Sequence, residues 1–204
     1  MKYIYTILSL FFTATSFSQS VDTVVRAPNY TSYFNYQLHE PLYVVYKLYK
    51  GGGDCSRKSD RFKTGNLPYS ATAADYKGNG YDEGHLCNSK DFAFDCGLQE
   101  ATFRFYNCCP QTPRLNRGIW KKWETSVRKE SQSDSLLVIC GSIYGNIKIG
   151  RDSIAVPDYC WKIVYSLTDN HIMHSLIFPN DNSNSMSTID IKDLKKRVGY
   201  EILF

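Results

Sequence analysis

Hydrophobic and polar positions along the chain fall into runs with two different periods. Leu42 to Tyr49 (LYVVYKLY) is apolar, aromatic and β-branched, and Gly51-Gly52-Gly53 ends it. That combination predicts a strand. Ser135 to Ser142 (SLLVICGS), Tyr159 to Leu167 (YCWKIVYSL, after Pro157) and His171 to Phe178 (HIMHSLIF) predict three more. The last two form a hairpin through Thr168-Asp169-Asn170. A helix is expected to open at Thr112-Pro113, with Thr as N-cap and Pro at the first helical position, and to run to about Ser131. At about 100° per residue, Asn116, Trp120, Trp123 and Val127 share one face, while Arg117, Lys121, Glu124 and Arg128 form the neighbouring one. Residues 54–80 are polar and carry Pro68 and Gly78-Asn79-Gly80, which predicts a long irregular connection. The tail IKDLKKRVGY reads as a basic helix. Strands outnumber helices and follow one another locally. The expected class is therefore α+β, with a central, mainly antiparallel sheet flanked by helices.

The opening segment does not belong to that pattern. Lys2, the apolar run Ile4 to Phe12 and the small residues up to Ser18 have the layout of a secretory signal peptide. Residues 1–18 are expected to be removed and residues 19–204 to form one domain. The apolar run is too short to span a bilayer. No other segment is apolar enough to do so, so no membrane partner is expected after removal. The expected location is secreted or periplasmic.

Composition narrows the partners only slightly. At 43% hydrophobic and 22% charged, the chain is too apolar for disorder, and its 16 tyrosines suit β-structure. The net charge of +4, less Lys2, leaves +3 on the mature chain, which permits a polyanionic partner without requiring one. Export makes the seven cysteines read as disulfides with one thiol left over. The one tight pair, Cys108-Cys109, has no spacer, so a zinc site is not expected.

Histidine is scarce, so each one can be weighed. His39 precedes a strand and reads as structural. His171 and His174 are three apart in a strand, point to opposite faces and cannot pair on a metal. His85 lies after a glycine-rich turn beside Asp82 and Glu83, where a neutral imidazole can act as general base. Asn116 sits in the first turn of the predicted helix, on its otherwise aromatic face. An amide there needs a partner, and its oxygen suits a hard cation such as Mg²⁺, which keeps most of its waters. Glu124, two turns on, can hold those waters. Arg128 is one turn further, at ion-pair spacing.

Together these clusters resemble the DNA/RNA non-specific endonuclease family, whose site is a ββα-metal motif. The family's D-R-G-H is matched by Asp82-Glu83-Gly84-His85. Its N-x-x-P-Q strand and L-N-x-G-x-W-x-x-x-E helix are matched by Asn107 to Gln111 and Leu115 to Glu124. Asp75 to Asp82 and Val156 to Lys162 also fit, so the likeness spans roughly residues 40–180. The resemblance implies a Mg²⁺-dependent endonuclease, with Mn²⁺ able to replace Mg²⁺, cutting DNA and RNA without sequence preference. It implies His85 as general base and Asn116 as the metal ligand. It further implies Glu124 as the group positioning metal-bound water, Asn107 as support for the scissile phosphate, and Arg128 near the leaving group. His85 is expected at the end of a β-segment, facing the first turn of the Asn116 helix.

One position departs from the family pattern, because Glu83 stands where the family carries arginine. An anion there repels phosphate unless it turns away or helps hold the metal's waters, and selection for a working nuclease favours either of these over a charge left in the substrate's path. Arg57 or Arg61 is the candidate replacement cation for substrate binding. Two other readings compete with an active nuclease. One is a catalytically degenerate member that binds nucleic acid or protein, and the other is a hydrolase of small phosphodiesters.

Overall fold

Alternation along the apolar runs decides how the strands stack. The computed structural model describes residues 19–57 and 60–203. Strands β1 (Thr23–Arg26), β2 (Thr31–Asn35), β3 (Glu40–Leu48), β6 (Leu136–Ile149), β7 (Ile154–Ser166), β8 (His171–Pro179) and β9 (Ser187–Thr188) form one sheet in the order β1-β2-β3-β6-β7-β8-β9. Every neighbouring pair in it is antiparallel. The four predicted strands correspond to β3, β6, β7 and β8, with the β7–β8 hairpin where the Thr168 turn places it. Strands β1, β2 and β9 were not anticipated.

β6 and β7 are central and covered on both faces, which is why their apolar runs barely alternate. One face packs Phe34, Val44, Tyr46, Val138, Cys140, Val164 and Phe178 against Leu115, Trp120 and Val127. The opposite face packs Tyr43, Ile139, Trp161 and Ile163 beneath Leu194 and Val198 of the C-terminal helix α5 (Ile191–Val198), the basic helix expected from the tail. Gly199 ends α5 in the left-handed conformation with φ of 70°.

The chain leaves this sheet after β3 and returns at β6, its neighbour. The excursion between them carries α1 (Ala73–Tyr76), β4 (Asp82–His85), α2 (Cys96–Ala101), β5 (Cys108–Gln111), α3 (Pro113–Leu115) and α4 (Lys121–Glu130). β4 and β5 pair antiparallel as a separate two-stranded sheet, with His85 opposite Cys108. The architecture is α+β, with a mainly antiparallel central sheet flanked by helices. The excursion packs a ββα unit on one face of that sheet.

The helix predicted from Thr112 is present, with a break. The Thr112 hydroxyl accepts from the Leu115 N–H at 3.2 Å, and Pro113 takes the first helical position. At Gly118 the backbone leaves helical geometry (φ −102°, ψ −115°), and Asn116–Trp120 widens into a π-helical segment. Asn184 causes the break, because its side-chain oxygen accepts from the Ile119 N–H at 2.7 Å. A Cβ at position 118 would lie 2.1 Å from that oxygen, so only glycine admits the insertion. The long connection 54–80 is mostly irregular as expected, apart from α1.

The cysteines correct the sequence reading. A single disulfide, Cys55–Cys96, joins the long connection to α2. Cys87, Cys108, Cys109, Cys140 and Cys160 are free and buried, five thiols where one was expected. They pack among apolar neighbours as small hydrophobic groups. Residues 1–18, read as a signal peptide, lie outside the described residues. Among the described residues no helix is long and apolar enough to cross a membrane.

Candidate active site

β4 ends on His85, and the period-two alternation of a strand turns His85 and Glu83 to the same side. That side opens on a cleft of about 570 Å³. Its opposite wall is the helical segment starting at Asn116. Six of the seven residues given site roles from the sequence line this cleft: Arg57, Arg61, His85, Asn116, Glu124 and Arg128. Gly84 allows the strand to sit where it does, since a Cβ there would meet Gln111 Oε1 at 2.3 Å.

The His85 ring is wedged between Phe62 and Phe103, with centroids 4.5 and 4.7 Å away. Its Nε2 is 3.5 Å from the Thr102 hydroxyl. Burial, and then the nearby Arg57 guanidinium, push its pKa down to about 3. The imidazole is therefore neutral at physiological pH. Trp120 Nε1 donates to the His85 carbonyl at 3.2 Å, which ties the strand directly to the helix.

Asn116 is held by a residue the sequence reading did not single out for this task. Its amide nitrogen donates to Asp82 Oδ2 at 2.9 Å. Arg117 grips the same carboxylate through two hydrogen bonds of 2.6 and 2.8 Å. With the nitrogen on Asp82, the amide oxygen is the arm left to act as a ligand. That arrangement suits a hard cation, for which one protein oxygen and several waters suffice. Among the described residues no group of three or more His, Cys, Asp or Glu is placed to hold a metal ion.

Glu124 is buried at 8% exposure, and burial raises its pKa, while Lys162 and Arg128 favour its charged form. Arg128 donates to Asp91 Oδ1 at 2.8 Å and Asn88 Oδ1 at 3.0 Å. Asp91 in turn accepts from the Tyr46 hydroxyl at 3.1 Å. Asn88 also caps the turn after His85 by accepting from the Lys90 N–H at 2.8 Å. The guanidinium is thus anchored at its rear with one edge in the cleft. Arg57 rests on the Phe103 ring, 5.6 Å from its centroid, and the Cys55–Cys96 bond fixes its segment two residues away.

Two expectations change. Asn107 does not line the cleft. It is fully buried, and its amide is used up by backbone: Oδ1 accepts from the Cys87 N–H at 2.8 Å, and Nδ2 donates to the Cys87 and Thr102 carbonyls at 3.0 and 2.8 Å. It clamps the segment following His85 and has no donor left for a phosphate. Glu83 does not turn away. It is half-buried on the cleft wall, where burial and then Asp82 raise its pKa and Arg61 opposes that rise. The other histidines stay outside the cleft, with His39 bonded to the Tyr69 carbonyl at 2.8 Å and His174 to Glu130 at 3.1 Å.

The sequence and the fold are both similar to those of known proteins. A nuclease of Nostoc sp. is 31% identical over 147 residues, 65% of this chain and 54% of that protein. Human mitochondrial endonuclease G is 28% identical over 128 residues, 55% of this chain and 43% of its own length. A salivary endonuclease of Lutzomyia longipalpis is 32% identical over 136 residues, 60% of this chain and 32% of its own. The chain spans about half the length, or less, of these curated relatives. In fold, it superposes on a chain of the solved EndoG/EndoGI complex with a TM-score of 0.81 at 22% identity, covering 89% of this chain and 85% of the other. The family described as DNA/RNA non-specific endonuclease matches residues 10–203, and the chain belongs to it.

Proposed function

We propose that this chain is an exported endonuclease that hydrolyses phosphodiester bonds of DNA and RNA without sequence preference, and that Mg²⁺, or Mn²⁺ in its place, is required. One observation carries the reading: His85, Asn116, Glu124 and Arg128 all line one cleft. Asn116 would hold the ion and Glu124 its waters. When bound, the ion neutralises charge on the phosphate and the leaving oxygen.

The chain's own residues supply the rest. His85 takes a proton from the attacking water, and its aromatic walls keep the ring from turning away. Arg128, fixed by Asp91 and Asn88, presents its positive edge to the phosphate. Arg57 and Arg61 stand on the rim, where they contact backbone phosphate. None of these groups is arranged to read a base edge, which favours sequence-tolerant cutting. The Cys55–Cys96 bond supports export, because such bonds persist in oxidising compartments.

Plasmid nicking and RNA degradation, with Mg²⁺ and with chelator, test the reading. Cleavage that chelator abolishes is expected. Binding of nucleic acid without cleavage would point to a degenerate binding member. Turnover of small phosphodiesters alone would point to a different hydrolase.

A further inference from the structure

β7 is covered on both faces, yet position 162 in its centre is lysine. Lys162 is 1% exposed. By strand alternation it points away from Trp161 and Ile163, toward the face on which the ββα unit sits. Its ammonium lies 4.2 Å from the Trp120 ring centroid and donates to Cys140 Sγ, its cross-strand neighbour, at 2.8 Å. Trp120 is the residue that bonds the His85 carbonyl, and it stands one turn before Glu124.

A buried ammonium requires compensation. A thiol is a weak acceptor, and burial pushes the Cys140 thiol up to about 11, so that sulfur carries no charge to offset the lysine. Besides Cys140, the groups facing Lys162 are the carboxylates of Asp91 and Glu124, together with the uncharged thiol of Cys87 and the thiol of Cys160. The groups that act electrostatically on Glu124 are Lys162, Asn88, Asp91 and Arg128, and Glu124 in turn acts on Tyr46, Cys87 and Cys140. The charged members are two carboxylates and two cations. Asp91 is already bonded to Arg128, which leaves Lys162 to balance Glu124.

We propose that Lys162 is a positioning residue of the hydrolytic site, whose ammonium, buried behind Trp120, is the counter-charge to the buried Glu124 carboxylate that lines the cleft. The inference rests on the nuclease reading above. Replacing Lys162 with a neutral residue leaves one excess negative charge in the buried cluster, and Glu124 then takes up a proton.

The test is a double-mutant cycle on the full chain with Lys162→Met and Glu124→Gln, read by melting temperature and by pH–rate profile. Lys162→Met is expected to lower the melting temperature, to reduce kcat at least tenfold with little change in KM, and to move the acid limb upward by about one pH unit. Glu124→Gln in the Lys162→Met background is expected to recover most of the lost stability, because it removes the charge left unpaired. Additive stability losses, or an acid limb that stays put, would overturn the proposal and leave Lys162 a packing residue. If Lys162→Met does not fold, folding of the double variant supports the pairing and its failure refutes it. If the wild-type chain cleaves nothing, the nuclease reading fails, while the stability cycle still decides the pairing.

Discussion

β6 and β7, 14 and 13 residues long, run together over most of their length, whereas β4 and β5 pair four residues with four. The long pair is held by apolar packing on both faces and carries the fold. The short pair is nearly as buried, but side-chain hydrogen bonds hold it: Asn107 to Cys87 and Thr102, Trp120 to His85, and Asn116 to Asp82. Apolar packing tolerates substitution of similar volume. A buried polar clamp does not, because each lost partner leaves a desolvated group behind. The difference separates two tasks, since the large sheet sets where the site lies and the clamps set which atoms face the substrate.

The largest effect expected is on the covalent tie between the site's rim and its body. Cys55–Cys96 closes a loop with a sequence separation of 41, for which chain entropy suggests about 4 kcal/mol. Cys55→Ser, or a reductant, should lower the melting temperature and raise KM for nucleic acid, because the Arg57 segment is tethered there. An unchanged melting temperature would show that the excursion is held without it. Any disulfide beyond Cys55–Cys96 in the non-reduced protein would contradict the five free thiols.

His85→Ala comes next. Turnover should fall by about 10²-fold or more in a protein that still folds. Its stability should also respond to pH in a defined sense. The native imidazole pKa is depressed to about 3, so between roughly 6.5 and 3 the unfolded chain binds the proton and the native one does not. Wild-type stability is therefore full above pH 6.5 and is lost as pH falls through that window, and His85→Ala should lose less. Equal acid sensitivity in both would mean that the imidazole is wetter than its aromatic walls suggest.

Asn107→Ala tests the clamp itself. Removing the amide strands the Cys87 N–H and two carbonyls, which should cost about 2 kcal/mol of stability. A turnover defect in an undiminished fold would instead restore Asn107 to direct phosphate contact.

The same contrast governs what could be read from the sequence. β3, β6, β7 and β8 were legible because central strands write long apolar runs. β1 and β2 were not, since Thr, Ser and Tyr alternate there without a run, and their pairing with β3 decides their fate. The cysteines misled because export argued for disulfides, while burial put five of them to use as core. The spaced motifs brought out His85, Asn116, Glu124 and Arg128, which the fold gathers on one cleft. Asp82's grip on Asn116, Asn88's and Asp91's on Arg128, and Lys162 behind Glu124 were not, because those partners lie 34 to 40 positions apart in the first three cases, across folded layers. Lys162 did leave a signal, as the one charged residue inside the apolar run YCWKIVYSL.

Glu83 should give the smallest effect and the sharpest test of whether the short strand pair is tuned for substrate. It lies on the cleft wall beside His85, so its charge faces the path of a phosphate, and Arg61 stands close enough to offset part of it. At about 4 Å in a wet cleft the residual repulsion is on the order of 1 kcal/mol. Glu83→Gln should therefore lower KM for DNA by about two- to fivefold at low salt, with kcat little changed. Glu83→Arg should lower it further. Both gains should fade as ionic strength rises and the Debye length shrinks to about 8 Å at 0.15 M. A salt-independent loss of kcat would mean something else, namely that Glu83 helps hold water at the reaction centre and that anion and cation serve different purposes at this position. A gain confined to Glu83→Arg, absent in Glu83→Gln, would assign the benefit to the added cation rather than to release of Arg61.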